Sequence, residues 1–371
     1  MNVDSFFKIL DAQYANKLPF VVYSRPINSI IKCWLQKDNK LHTTANFTES
    51  GFVFSPFDLS TESILLPQEN CEHHTLEISN LKLETEIVIT EIKNKQKLDH
   101  IDLVSKGIET IKSTNLDKVV LSREVVKTTD SKKPLEVFKR LFNTYKNAMV
   151  YCWYHPKVGL WLGATPELLF KVDGKQLTTI SLAGTQPYNS NKQVSWTHKE
   201  YEEQQIVTDY IKTQVSPLSS AVNISDVETV KAGNLLHLKT YIRSRIKSDV
   251  ELISVIKTLH PTPAVCGFPK QLAKDFILKN ENYKRQYYTG FLGELNLKQT
   301  KTRNTNKRNV ENSAYALVKG YSNFYVNLRC MQFKDNMAII YVGGGITKDS
   351  IAEKEWDETV NKTKTINNVL D

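Results

Sequence analysis

The sequence predicts an α+β fold with largely antiparallel sheets. Three observations carry that expectation. Extended apolar segments come in pairs joined by turn-forming residues, helical patterns fall between them without strict strand–helix alternation, and neither an internal repeat nor a flexible linker divides the 371 residues. A chain of this length holds one large domain or two smaller ones, and the missing linker favours the first.

Residues Met1 to about Asn94 give short apolar clusters, such as Leu18–Tyr23 and Gly51–Phe57, which read as strands and turns. From Lys95 to Ser113, Ile101, Val104, Ile108 and Ile111 recur at spacings of three and four, predicting a helix. Lys118–Val126 is rich in β-branched residues and reads as a strand, and Pro134–Tyr145 reads as a helix. Ala148–Tyr154 and Leu160–Gly163 predict a hairpin across His155-Pro156-Lys157. Leu168–Val172 and Leu177–Leu182 predict another, turned at Asp173-Gly174, a strong hairpin signal. Ser195–Val215 predicts a helix with Ser195 as N-cap and Ile206, Val207, Tyr210 and Ile211 as its apolar face. Phe324–Phe333 and Met337–Val342 predict a last hairpin across Lys334-Asp335-Asn336.

Composition narrows the function. Hydrophobic residues make up 40% and charged residues 24%, as in an ordinary globular protein, and no apolar run approaches the roughly 20 residues that span a bilayer. The N-terminus MNVDSFFKIL lacks the basic-then-apolar order of a secretory signal, and five scattered cysteines form no C-x-x-C. Reduced thiols in a cytoplasmic protein are expected, rather than a disulfide frame or a zinc site. The net charge of +9 is concentrated at Asn296–Arg308 (NLKQTKTRNTNKR), which has no aromatic residue on which a base could stack. A solvated loop is expected there, not a nucleic-acid partner.

Several residues are candidates for chemistry, each with a plainer alternative. Glu200 and Glu203 lie one turn apart on a predicted helix. Glu203 is spaced with Val207, Tyr210 and Ile211, so it either enters the interior, where it must be paired or metal-bound, or belongs to a solvated first turn. Glu355 and Glu358 repeat this spacing beside the stripe of Trp356, Val360 and Thr363. There Glu358 and Lys362 form an i,i+4 pair, and Ser350 with Glu353 fits a capping box. Lys118 opens a strand, where it either reaches solvent or sits in a low-dielectric site that lowers its pKa. Glu167 follows Pro166 before an apolar run. Arg329, mid-strand among Leu328, Cys330 and Met331, calls for a carboxylate, either a structural partner or a ligand. His237 and His260 stand between apolar residues and read as satisfied core histidines. Gly343, Gly344 and Gly345 suggest either close approach of an anionic ligand or a tight strand-to-helix turn.

The order of these segments is more specific than any one of them. KVVLSRE, LGATPELLF, LAGTQP, KEYEEQ, LLHLKT, LHPTPAVCGFP, ENYKRQYYTGFLGE, NLRCMQF, VGGGI and EKEWDETVNK occur between Asp117 and Lys362. In that order the chain resembles the chorismate-utilising enzymes, and among them the isochorismate synthases. The resemblance implies a single chorismate-binding domain over 1–371, with 1–95 a divergent part and 96–371 the family core. It also implies two stacked, mostly antiparallel sheets with helices outside. The implied substrate is chorismate and the implied cofactor is Mg²⁺, held by Glu203 and Glu358 with Glu200 and Glu355 in support. Lys118 would be the general base that activates water for attack at C2, and Glu167 the general acid for the departing C4 hydroxyl. Arg329 and Tyr288 would hold the enolpyruvyl carboxylate. Ala183, Gly184, Thr185, His237, Thr262, Gly343, Gly345 and Lys362 would line the substrate pocket.

Two positions separate this chain from the relatives it resembles. Anthranilate synthases carry Gln where Lys118 stands, and aminodeoxychorismate synthases carry a nucleophilic Lys where Ala183 stands. No glutaminase partner is therefore implied, and a monomer is expected. Salicylate synthases share Lys118 and Glu167 and remain the alternative. Gln204 and Ala352 depart from the family's usual His and Pro. Whether the product would serve menaquinone or siderophore synthesis is left open.

Overall fold

Large aromatic side chains decide how the strands stack. Tyr23, Trp34, Phe52, Phe54, Tyr151, Trp153 and Trp161 are buried in one cluster contributed by two different sheets. Phe54 lies 4.5 Å from Trp153 and 4.3 Å from Tyr287, both stacked, so the two sheets share a continuous aromatic interior. The computed structural model describes residues 1–83, 89–91, 96–129, 133–188, 194–232, 235–301 and 317–367.

Each sheet has ten strands, all paired antiparallel. The first runs in the order Gly267–Phe268, Lys118–Thr129, Met337–Ile346, Cys330–Lys334, Gly159–Thr165, Met149–His155, Phe20–Ser24, Ile30–Gln36, Cys71–Glu77, with Ile89–Glu91 beside Lys118–Thr129. The second runs Ser219–Ile224, Leu235–Ile246, Gln176–Pro187, Leu168–Asp173, Leu317–Val326, Phe291–Lys301, Gly51–Ser55, Ser63–Pro67, His42–Thr44, with Glu228–Ala232 beside Leu235–Ile246. The N-terminal segment thus supplies four strands to the first sheet and three to the second. Helices cover the outer faces. Val3–Ala15 and Pro134–Thr144 pack on one part of the first sheet, and Gln96–Ser113, Lys270–Asn280 and Ala352–Asn367 gather on its strands Lys118–Thr129 and Met337–Ile346. His198–Val215 packs on the second sheet, with Leu252–Leu259 against it. The expected fold class is what is found.

The chain changes sheet at two places that matter for the site. Gly159–Thr165 belongs to the first sheet and Leu168–Asp173 to the second, so Pro166 and Glu167 form one crossing. Leu317–Val326 belongs to the second and Cys330–Lys334 to the first, so residues 327–329 form the other. Backbone that leaves a ladder must find other partners, and here the two crossings serve each other. Val326 N–H donates to Glu167 O at 2.9 Å, Ala164 N–H to Arg329 O at 3.1 Å, and the Thr165 hydroxyl to Val326 O at 2.5 Å. Asn327, fully buried, is pinned through its side chain, which accepts from Tyr151 Oη at 2.6 Å and donates to Tyr287 O at 2.9 Å.

This crossing corrects two expectations. The run Phe324–Phe333 is not one strand, and Arg329 is not mid-strand but in the bend, at φ +48°. Alternation of side chains looks the same on either sheet, so sequence periodicity does not register the switch. Other differences are local. Val3–Ala15 is a helix rather than a strand or turn. Asn2 caps it, its Oδ1 accepting from Ser5 N–H at 2.8 Å, a bond worth about 1 kcal/mol, and Phe6, Phe7 and Leu10 form its buried face. The helix expected from Ser195 begins at His198, capped by Thr197 in a capping box with Glu200. Ile206, expected on its apolar face, is 70% exposed; Gln204, Thr208 and Val215 are buried. The last helix is Ala352–Asn367, and Ser350 donates to Glu355 Oε1 at 2.7 Å instead of boxing with Glu353. Of the basic stretch, residues 296–301 continue the strand Phe291–Lys301 rather than form a loop, and 302–308 lie outside the described residues. The hairpins at Gly174 and at Asp335-Asn336 form as expected, with positive φ at all three residues. All five cysteines are buried free thiols, and among the described residues no helix is long and apolar enough to cross a membrane.

Gly267 pairs with Val119 at φ +130°, where an added Cβ would strike the Lys118 carbonyl oxygen. Gly267→Ala is therefore expected to lower the unfolding free energy in urea by about 2 kcal/mol or more. An unchanged midpoint would show that the edge strand yields freely.

Candidate active site

Three consecutive glycines at the end of Met337–Ile346 lie at the centre of the site because each leaves room for a different neighbour. They pair with the strand that Lys118 opens, Gly345 opposite Val120 and Gly343 opposite Ser122. A Cβ at Gly345 would fall 2.8 Å from Lys118 Cε and 3.4 Å from its Nζ. One at Gly344 would meet Glu355 Oε2 at 3.3 Å and Glu358 Oε1 at 3.8 Å, and one at Gly343 would meet Tyr288 Oη at 3.1 Å. The glycines are thus a bare stretch of backbone between the lysine, the acidic helix and a buried tyrosine. Lys362 Nζ donates to Gly343 O at 2.9 Å and pairs with Glu358 at 2.7 Å. Both members of that pair are 49% exposed, so it adds little stability.

The second acidic helix approaches from the other sheet. Its first turn comes close because the strand Gln176–Pro187 bulges between Ala183 and Thr185. Gly184 takes φ +67° there, and a Cβ on it would lie 3.4 Å from Glu200 Cβ. Gly184 O also accepts from His237 Nδ1 at 3.1 Å, and Thr185 pairs with His237 in the ladder. Gln204 holds the helix to the sheet from beneath, its Nε2 donating to Ser181 O at 3.2 Å, Ser181 Oγ at 3.1 Å and Thr240 Oγ1 at 3.1 Å. Glu203 is exposed, so it does not enter the helix–sheet interior. It faces the opening instead, close enough to Lys118 to be the strongest influence favouring the charged lysine.

Lys118, Glu167, Arg329 and His237 share one electrostatic neighbourhood. Burial pulls the Lys118 pKa down, against the opposing pull of Glu203, Glu167 and Glu358. Burial pushes Glu167 up to about 7, even though Thr262, Lys118 and Arg329 favour its anion, and Thr262 Oγ1 lies 3.5 Å from Glu167 Oε1. Burial also lowers Arg329 and His237. Among the described residues no carboxylate stands at ion-pair distance from Lys118 or Arg329. Two cationic side chains, both half-withdrawn from water without a contact partner, make a cleft that favours an anionic ligand.

The carboxylates allow a test of cation binding. Among the described residues no three His, Cys, Asp or Glu side chains are already gathered for a metal. Glu200 is engaged in its capping box, with Thr197 N at 2.6 Å, and Glu355 accepts from Ser350. Burial raises the Glu355 pKa and the neighbouring Glu358 charge raises it further, a repulsion that a cation would relieve. The donors on both helices are hard carboxylate oxygens. They fit a divalent ion such as Mg²⁺ completed by a ligand's own oxygens.

Sequence reasoning missed the Glu281–Arg285 ion pair and Ser122, whose hydroxyl donates to Glu281 Oε1 at 2.7 Å. The only available signal was an acid and an arginine at i,i+4 in ENYKR. His260 is a buried core histidine, its Nε2 3.0 Å from Phe57 O. A separate concavity of about 960 Å³, lined by His42, Glu49, Gln68, His73 and Lys298 among others, contains none of the predicted site residues.

With this geometry in view, comparison with known proteins is informative. A family profile described as chorismate binding enzyme matches residues 44–301, and a second of the same description matches 313–368. The isochorismate synthase EntC of Escherichia coli (strain K12) is 28% identical over 280 residues, covering 72% of this chain and 66% of that protein. The isochorismate synthase MenF of Pasteurella multocida is 28% identical over 275 residues, covering 70% and 58%. The chain thus spans about two thirds or less of the length of these curated relatives. Among solved structures, the menaquinone-specific isochorismate synthase MenF of Escherichia coli superposes with a TM-score of 0.77 at 20% identity, covering 95% of this chain and 89% of that one. Anthranilate synthase component I of Streptococcus pneumoniae gives 0.66 at 18% identity, covering 94% and 89%. These superpositions establish the fold.

The raised Glu167 pKa has a consequence for stability. The folded chain keeps this proton up to about pH 7, whereas the unfolded glutamic acid loses it near 4.5. The folded state therefore binds more protons in that window, and this group lowers stability as pH rises through it. Urea titrations should find Glu167→Gln more stable than the parent above about pH 7, an advantage that vanishes below about pH 4.5. An offset independent of pH would contradict the assignment.

Proposed function

The chain belongs to the chorismate-binding enzymes, and from that premise we propose that it isomerises chorismate to isochorismate. The observation that carries the proposal is a lysine with a lowered pKa and a glutamic acid with a raised one, in mutual electrostatic reach across the cleft between the sheets. That is the pairing needed by a base and an acid acting on one ring. The names of the relatives support the choice among the family's reactions.

Lys118, neutral, takes a proton from water as the water oxygen bonds to C2. The ring double bonds shift, the C4–O bond breaks, and Glu167 gives its proton to the departing hydroxyl, which leaves as water. Arg329 and Tyr288 hold the enolpyruvyl carboxylate. The bare backbone of Gly343–Gly345 and the side chains of His237 and Thr262 shape the pocket around the ring. Glu203 and Glu358 would hold Mg²⁺, with Glu200 and Glu355 supporting them. When bound, the ion supplies positive charge that offsets the ring carboxylate. Ala183 leaves no nucleophile on the ring's path, so no covalent intermediate is invoked.

Purified protein incubated with chorismate and Mg²⁺ is expected to yield isochorismate without pyruvate. Stoichiometric pyruvate and salicylate would replace this reading with salicylate synthesis, and no turnover would reject both. Lys118→Ala and Glu167→Gln should each lower kcat/KM by roughly 10²–10⁴-fold in protein that remains folded. Near-parental turnover in either variant would remove that residue from its role.

A further inference from the structure

The Glu281–Arg285 pair is more elaborate than stability requires. Both side chains are almost wholly buried, at 1% and 2% exposure. Ion pairs withdrawn from water in this way are often no more stabilising than apolar residues of the same volume. The fork is also fully committed. Arg285 Nε and Nη2 grip the two Glu281 oxygens at 2.8 and 2.6 Å, and the remaining donors reach the Thr289 hydroxyl oxygen at 3.2 Å and two carbonyls on different segments. Nη2 donates to Val120 O at 2.6 Å, on the strand that presents Lys118. Nη1 donates to Val265 O at 3.0 Å, in the turn that carries Thr262. That turn is closed by Val265 and Cys266 N–H groups donating to Thr262 O at 3.1 and 3.0 Å. Glu281 Oε1 completes the arrangement by accepting from Ser122 N–H at 2.9 Å, two residues beyond Val120.

Resting on the proposed reaction, we infer that Glu281 and Arg285 are a positioning pair. They fix the distance between the strand of the base Lys118 and the turn whose Thr262 hydroxyl faces the acid Glu167. Neither side chain touches the substrate. Only a planar guanidinium can pair with a carboxylate along one edge and still bridge two carbonyls. A lysine keeps the charge and loses the bridge.

The test compares the parent with Arg285→Lys, which retains a cation for Glu281, and with the double variant Glu281→Gln/Arg285→Met, which leaves no charge buried alone. In folded protein, kcat for chorismate should fall about 10²-fold with KM changed less than about threefold, because the reacting groups are displaced while the substrate's anchors are not. Amide exchange at Val120, which donates to Cys266 O at 2.8 Å, should accelerate in both variants. An unchanged kcat, or a loss expressed in KM alone, would overturn the inference. So would unaltered exchange at Val120, a readout that needs no turnover. If the parent itself leaves chorismate unchanged, the proposed reaction fails while the exchange measurement still reports on the bridge.

Discussion

Everything at the candidate site depends on two backbone segments that leave their sheets side by side. Strand ladders satisfy backbone groups automatically; a crossing between sheets does not, and a buried crossing that found no partners would cost several kcal/mol. Here the crossings at Glu167 and at 327–329 bond to each other, and the side chain of Asn327 closes the remaining gap. The outcome is positional. An acid and an arginine, 162 positions apart in sequence, are held at the same opening between two sheets. The left-handed φ of Arg329 is accepted within this frame because the surrounding bonds over-determine it.

Burial then does opposite things to opposite charges. The same withdrawal from water lowers Lys118 and Arg329 and raises Glu167. The cleft needs no separate device to shift both a lysine and a glutamic acid toward their neutral forms. A partly dry wall between two sheets suffices, provided no permanent ion pair satisfies either group. The acidic helices are built differently. Glu203 and Glu358 stay exposed to solvent at the cleft's mouth.

Much of the fold was legible locally. Gly174-Lys175 and Asp335-Asn336 form two-residue turns, and the spacing of Ile101, Val104, Ile108 and Ile111 specifies a helix; these signals act within a few residues. What could not be read was anything decided by a distant partner. The split of Phe324–Phe333 between two sheets leaves no mark on alternation. The helix at Val3–Ala15 is the exception, since its cap Asn2 and its apolar face of Phe6, Phe7 and Leu10 are local features. Gln204 looks like a surface residue of a helix until Ser181 and Thr240 are brought beneath it. For the site, periodicity alone favoured solvent for Glu355 and Glu358, and the order of the sequence blocks singled them out. The structure adds how they are arranged: Gly344, lacking a side chain, leaves their carboxylates against bare backbone.

We propose that one cleft between the sheets gathers the anionic substrate and a divalent ion through Glu203 and Glu358, carried by helices on different sheets. Titration of the protein with Mn²⁺ as a stand-in, followed by its paramagnetic resonance with and without chorismate, tests this most directly. The account predicts weak binding alone, much tighter binding when chorismate is present, and loss of that gain in both Glu203→Gln and Glu358→Gln. Metal binding indifferent to chorismate, or unaffected by either substitution, would contradict it.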